Sequence, residues 1–156
     1  MCDLEERLAK LKTLCQNGKL SEHEFYKIAH PLAETRYEPL RKFLIELLES
    51  PNEIFRLNAV HLLGSHWPEK QDIGKKLIEL LINDPNDDVR MLAASALSHI
   101  KYVEAQKALS QCVSNPREDP SVRDSCIDAI RILSGTPQLQ ILREQLDQII
   151  DKSADL

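Results

Sequence analysis

One short pattern occurs three times in this chain and limits the folds open to it more than any other feature. Asn52-Glu53-Ile54-Phe55-Arg56, Asp87-Asp88-Val89-Arg90 and Pro120-Ser121-Val122-Arg123 each place an arginine directly after an apolar residue. The arginines stand roughly 33–34 residues apart, a period in the range of helical-repeat arrays. Three positions after each comes a small residue (Ala59, Ala93, Cys126), and seven after it a larger aliphatic (Leu63, Leu97, Ile130). Val60 and Leu62, Ala94 and Ala96, Ile127 and Ala129 fill the apolar positions between. Steps of three and four residues make one face of a helix, so the same helical face is used three times.

Each of these helices follows another amphipathic segment: Leu40–Leu48, Ile73–Ile82 and Ala105–Val113. Between the members of each pair lies a turn with proline: Ser50-Pro51, Asp84-Pro85-Asn86-Asp87, and Asn115-Pro116 with Asp119-Pro120. Proline lacks an amide hydrogen and fits a turn or a first helical position, so it stops one helix and admits the next. Asp87 or Asp88 is expected to cap the following helix. The chain has only 4 glycines and 4% aromatic residues, which leaves little for the tight turns of sandwiches and barrels. The expected fold is all-α: a right-handed α-solenoid of antiparallel helix pairs, about three full repeats with helical caps.

At 156 residues the chain reads as a single solenoid domain over 1–156. Residues 1–37 form an N-terminal helical cap, 38–134 the three repeats, 135–152 a C-terminal capping helix, and 153–156 a frayed tail. Leu4, Leu8, Leu11 and Cys15 set the first helix, which Asn17-Gly18 stops. Ser21-Glu22-His23-Glu24 has capping-box form ahead of Phe25, Ile28 and Leu32. Pro31 is expected to kink or break that second helix, and Pro39 to sit near the start of the third. Leu139, Leu142, Leu146 and Ile149 or Ile150 mark one helix over Pro137–Asp151.

The stretch Leu80-Leu81-Ile82-Asn83-Asp84-Pro85-Asn86-Asp87-Asp88-Val89-Arg90-Met91-Leu92-Ala93-Ala94-Ser95-Ala96-Leu97 resembles the HEAT family. In particular it is similar to the short HEAT-like repeats that stack in phycobilisome-lyase-type proteins. The resemblance implies that Arg56, Arg90 and Arg123 form a structural ladder, bonded to turn carbonyls or aspartates such as Asp87. It also implies that the second helices line a concave surface. The tetratricopeptide pattern, similar in period, lacks its Trp-Leu-Gly-Tyr signature here. The Gly18-Lys19-Leu20-Ser21 turn with Glu24-Phe25 is similar to that of short helical oligomerisation modules.

The chemistry-bearing residues are sparse. Cys2, Cys15, Cys112 and Cys126 show no close C-x-x-C spacing, so reduced thiols used as small hydrophobes are expected. HEAT-like hydroxylases hold iron with several paired His-Glu dipeptides, and this chain has a single one, His23-Glu24, so that activity is not carried over. A metal site from His61 and His99 is disfavoured, and Trp67 is assigned to core or loop packing. No nucleophile elbow, phosphate loop or zinc helix occurs, so no catalytic residue, metal or cofactor is expected. Net charge is −5, which disfavours nucleic acid and suits a partner with a basic surface. The acidic start lacks a signal peptide's apolar run, and no run is long enough to span a membrane, so the cytoplasm is expected.

Positions one, five and eight after each arginine point away from the core face. They nominate a binding ridge of Leu57 and His61 (with Gly64), then Met91, Ser95 and Ser98, then Asp124, Asp128 and Arg131. The function expected is a non-enzymatic adaptor or inhibitor that binds another protein. A bacterial immunity protein masking a basic toxin is one version. A bilin lyase-like accessory factor is the alternative that the resemblance raises, and a DNA-glycosylase-like role would need a basic groove. The partner's identity and the oligomeric state are left open.

Overall fold

The computed structural model describes residues 2–135 and 140–154, with side chains as far as 135 and from 147. Nine α-helices and one short 3-10 turn make up the regular structure of the described residues, with no strand among them. The fold is an all-α helical repeat. The chain divides into two units, Met1–Pro68 and Glu69–Leu156.

The N-terminal unit holds α1 (Asp3–Gln16), α2 (Glu22–Glu34), α3 (Glu38–Leu47) and α4 (Glu53–His66). Gly18, at φ 68°, ends α1 in the left-handed conformation that glycine adopts without strain. Ser21 then starts α2 with a reciprocal box: its hydroxyl accepts from Glu24 N, and its own amide donates to Glu24 Oε2. That bonding holds the Glu24 carboxyl below its ordinary range. Pro31 neither ends nor breaks α2, which runs on to Glu34. The ring removes one backbone bond in the last turn, where the helix is about to stop, while Ala29, Leu32 and Ala33 are fully buried around it. Pro39 lies in the first turn of α3. α2 packs on α1, α3 and α4, with the Phe25 and Phe55 rings 5.7 Å apart. Trp67, just past α4, is 2% exposed and belongs to this core.

The C-terminal unit holds α5 (Gly74–Asn83), α6 (Asp87–His99), a 3-10 turn (Val103–Ala105), α7 (Gln106–Ser114), α8 (Pro120–Leu133) and α9 (Gln140–Ala154). α6 packs on α5 and α8, α7 packs on α8, and α9 packs on α7 and α8. Ala93, Ala94 and Ala96 are buried on α6, and small side chains there let neighbouring backbones approach. Leu77, Leu97, Leu109 and Ile130 supply bulk, each worth roughly 1.5–3 kcal/mol on burial. α6 stops without glycine. Lys101 takes φ 54°, and the amides of Lys101 and Tyr102 return to the carbonyls of Ser98 and Leu97, a Schellman ending. The same ending closes α2 at Arg36, φ 55°. Gln71 Nε2 donates to the carbonyls of Ile100 and Lys101, both at 3.0 Å. A Cβ on Gly74 would run into the Tyr102 ring, so any larger residue at the start of α5 requires that ring to move.

One boundary expectation needs correction. α9 continues through Ala154, so residues 153–154 are helical rather than frayed. Pro137 and Leu139 lie outside the described residues, as do the side chains of Leu142 and Leu146.

Candidate functional site

The three arginines occupy one structural position, the fourth residue of their helices. Asn52 caps α4, its side chain accepting from Ile54 N at 2.9 Å, and Arg56 Nη1 donates back to the Ser50 carbonyl at 2.8 Å. Asn86 caps α6, accepting from Asp88 N and Val89 N, and Arg90 Nη1 donates to the Asp84 carbonyl at 2.7 Å. The cap is therefore Asn86 rather than Asp87 or Asp88. Asn86 is the last residue with extended backbone, ψ 123°, and a cap must stand outside the helix. Asp87 is instead an ion-pair partner of Arg90 Nη2, which also meets Glu118 Oε1 at 2.8 Å. The bond to Glu118 leads the causes that raise the Arg90 pKa. Asp119 caps α8 by accepting from Ser121 N, and Arg123 Nη2 donates to the Glu118 carbonyl at 3.0 Å.

In the C-terminal unit, Asp124, Asp128 and Arg131 are exposed on α8. Arg131 Nη1 stands 3.8 Å from Asp128 Oδ1, a solvent-exposed pair of little energetic weight. On neighbouring α6, Met91 and Ser95 are half-buried and His99 is exposed. His99 Nδ1 lies 2.8 Å from the Ser95 carbonyl. Ser98 does not belong to this surface. It is 2% exposed, and its hydroxyl donates to the Ser95 carbonyl. A helix packed against two neighbours buries a wider arc than one resting on a single partner, and α6 packs on both α5 and α8. His99, one residue on, takes the outward position.

In the N-terminal unit the nominated residues are half-buried Leu57 and exposed His61 on α4, while Gly64 is buried. His61 has company that the repeat pattern did not show. Its ring is 5.9 Å from Tyr26 of α2, Tyr26 is 4.7 Å from His30, and His30 is 5.2 Å from His66. Burial lowers the His66 pKa, with neighbouring His30 adding to the effect. Tyr26 and His30 stand four residues apart on α2, a spacing visible in the sequence. No group of three metal-ligating side chains is assembled among the described residues.

The thiols give the other unforeseen contact. Cys112 of α7 and Cys126 of α8 are buried, with Sγ atoms 2.6 Å apart. The bond to Cys112, with burial adding to it, raises the Cys126 pKa, so this thiol keeps its proton and donates, which lowers that of Cys112. Burial alone pushes the Cys15 thiol up to about 11. Fourteen residues of separation hid the pair, because only the antiparallel packing of α7 on α8 closes it.

Among the described residues no helix is long and apolar enough to cross a membrane. The pattern of the family described as HEAT repeats matches residues 74–152, just over half of the chain. No curated protein matches it. With arginine turns, paired helices and that match in agreement, the chain belongs to the HEAT-repeat family.

Proposed function

We propose that the protein is a non-enzymatic binding module, an adaptor or an inhibitor, that takes a protein partner with a basic surface on the α6–α8 face. The observation that carries this reading is the pair of exposed carboxylates Asp124 and Asp128, one helical turn apart on α8, which packs on the helix that carries half-buried Met91. Apolar area next to charge gives an interface its anchor and its steering. HEAT repeats commonly serve as protein-interaction modules, which agrees with this use. A masked basic toxin domain is the form of partner that the acidic balance of the chain suits.

The test is affinity for a partner captured by pull-down and then purified. Asp124→Lys with Asp128→Lys is expected to slow association and raise Kd about tenfold. Met91→Arg is expected to speed dissociation, since it obstructs the apolar middle of the face. Lys75→Glu, on exposed α5, serves as control and is expected to change little. Should only the Lys75 variant weaken binding, the partner sits on the first helices and this assignment is wrong.

A further inference from the structure

The groove between α1 and α2 has a charge opposite to that of the chain as a whole. It measures about 580 Å³, within the range of ligand pockets, and is lined by α1, the connecting turn and α2. Leu14 of α1, Leu20 of the connecting turn and Ile28 of α2 give it an aliphatic floor. Leu20 is buried, while Leu14 and Ile28 stay half-exposed. Arg7 and Lys10 of α1, Lys19 of the turn and Lys27 of α2 also line it, against a single lining carboxylate, Glu24.

That carboxylate is already engaged, because Glu24 Oε2 accepts from the Ser21 amide at 3.0 Å and from its hydroxyl at 2.7 Å. Arg7 is offset by Asp3 at 2.9 Å. Lys10, Lys19 and Lys27 form no ion pair among the described residues. Three uncommitted ammonium groups thus surround exposed aliphatic side chains, in a chain whose net charge is −5.

We infer that this groove is a second docking site, for an acidic amphipathic segment of a partner protein. An apolar side chain of the segment enters between Leu14 and Ile28, and carboxylates on either side of it meet Lys10 and Lys27. Nucleic acid fits worse, since bases stack on aromatic faces and the floor is aliphatic. A single long-chain carboxylate would use one edge of the groove and leave the cations of the other edge unmatched. A segment with several carboxylates satisfies both edges.

The experiment is fluorescence anisotropy on the full chain. Its probe is a labelled synthetic peptide with leucines at helical spacing and glutamates beside them. The same peptide with lysine in place of each glutamate is the comparison. The acidic peptide is expected to bind about tenfold or more tightly than the basic one, and to weaken as salt rises. Lys10→Glu with Lys27→Glu is expected to abolish that preference at unchanged helicity. Lys10→Gln with Lys27→Gln is the milder variant and is expected to reduce it. Asp124→Lys with Asp128→Lys, on the other unit, is expected to keep the acidic peptide's affinity, so failure here is separable from failure of the α6–α8 reading. Equal binding of the two peptides, or no change in both lysine pairs of variants, overturns the inference. Displacement of the peptide by dodecanoate, with dodecanoate itself losing affinity in the Lys10→Glu/Lys27→Glu protein, assigns the groove to lipid and also overturns it.

Discussion

The turn before α6 and the turn before α8 deliver an arginine to the same helical position, but they bond it differently. The first is short: α5 ends at Asn83 and α6 starts at Asp87. Arg90 reaches back across it to the Asp84 carbonyl and still has Nη2 free to meet two carboxylates, Asp87 and Glu118. The second turn is longer, from Asn115 to Asp119. Arg123 finds one carbonyl there, Glu118 O, and its Nε is buried without a hydrogen bond. The extra length supplies Glu118, whose side chain is 10% exposed and serves the neighbouring repeat's arginine. A repeated residue thus fixes where a side chain sits, and the turn ahead of it decides what that side chain holds.

The largest expected effect follows from removing the better-bonded arginine. Arg90→Ala leaves Glu118 partly buried without its cation and the Asp84 carbonyl without its donor, at a cost of about 3 kcal/mol. The measurement is the urea midpoint at unchanged slope. A loss no larger than that for Lys75→Ala, expected within about 0.5 kcal/mol, would contradict the ladder. Glu118→Gln ranks next, at about 1–2 kcal/mol, because Arg90 keeps Asp87 and the carbonyl. Arg123→Ala is expected to cost about 1 kcal/mol, less than the usual worth of a bond from a charged donor, because the change also removes a buried Nε that lacks a hydrogen bond. If Arg123→Ala costs as much as Arg90→Ala, the difference drawn between the two turns does not hold.

Much of this fold was legible in the residues because helix periodicity and capping are local. The three-and-four spacing placed the paired helices of the repeats, and Ser21 with Glu24 spelled out its box. Where α6 starts, the signal was offset: Asp87 is a good capping type, but Asn86 stands on the extended backbone that a cap needs. The stops of α2 and α6 were harder to read, since Arg36 and Lys101 take the positive φ that a glycine would have announced. What stayed hidden depends on packing between helices. Ser98 lies on the nominated face by helical arithmetic, yet the two neighbours of α6 cover it. The Cys112–Cys126 approach and the reach of Glu118 to Arg90 each join elements through tertiary contact, for which no spacing rule exists.

The smallest expected effect is also the sharpest test of the comparison. Glu118 serves both arginines with different atoms: its carboxylate takes Arg90, and its backbone carbonyl takes Arg123. Replacing the side chain therefore touches only one of the two contacts. In a double-mutant cycle, Glu118→Gln with Arg90→Ala is expected to show a coupling of about 1 kcal/mol or more. The same cycle with Arg123→Ala is expected to return less than about 0.5 kcal/mol, since glutamine leaves the carbonyl in place. Denaturation midpoints of the five variant proteins and the parent give both values. Coupling of equal size in the two cycles would mean that Glu118 acts on Arg123 through its carboxylate, and that the two turns are bonded alike after all.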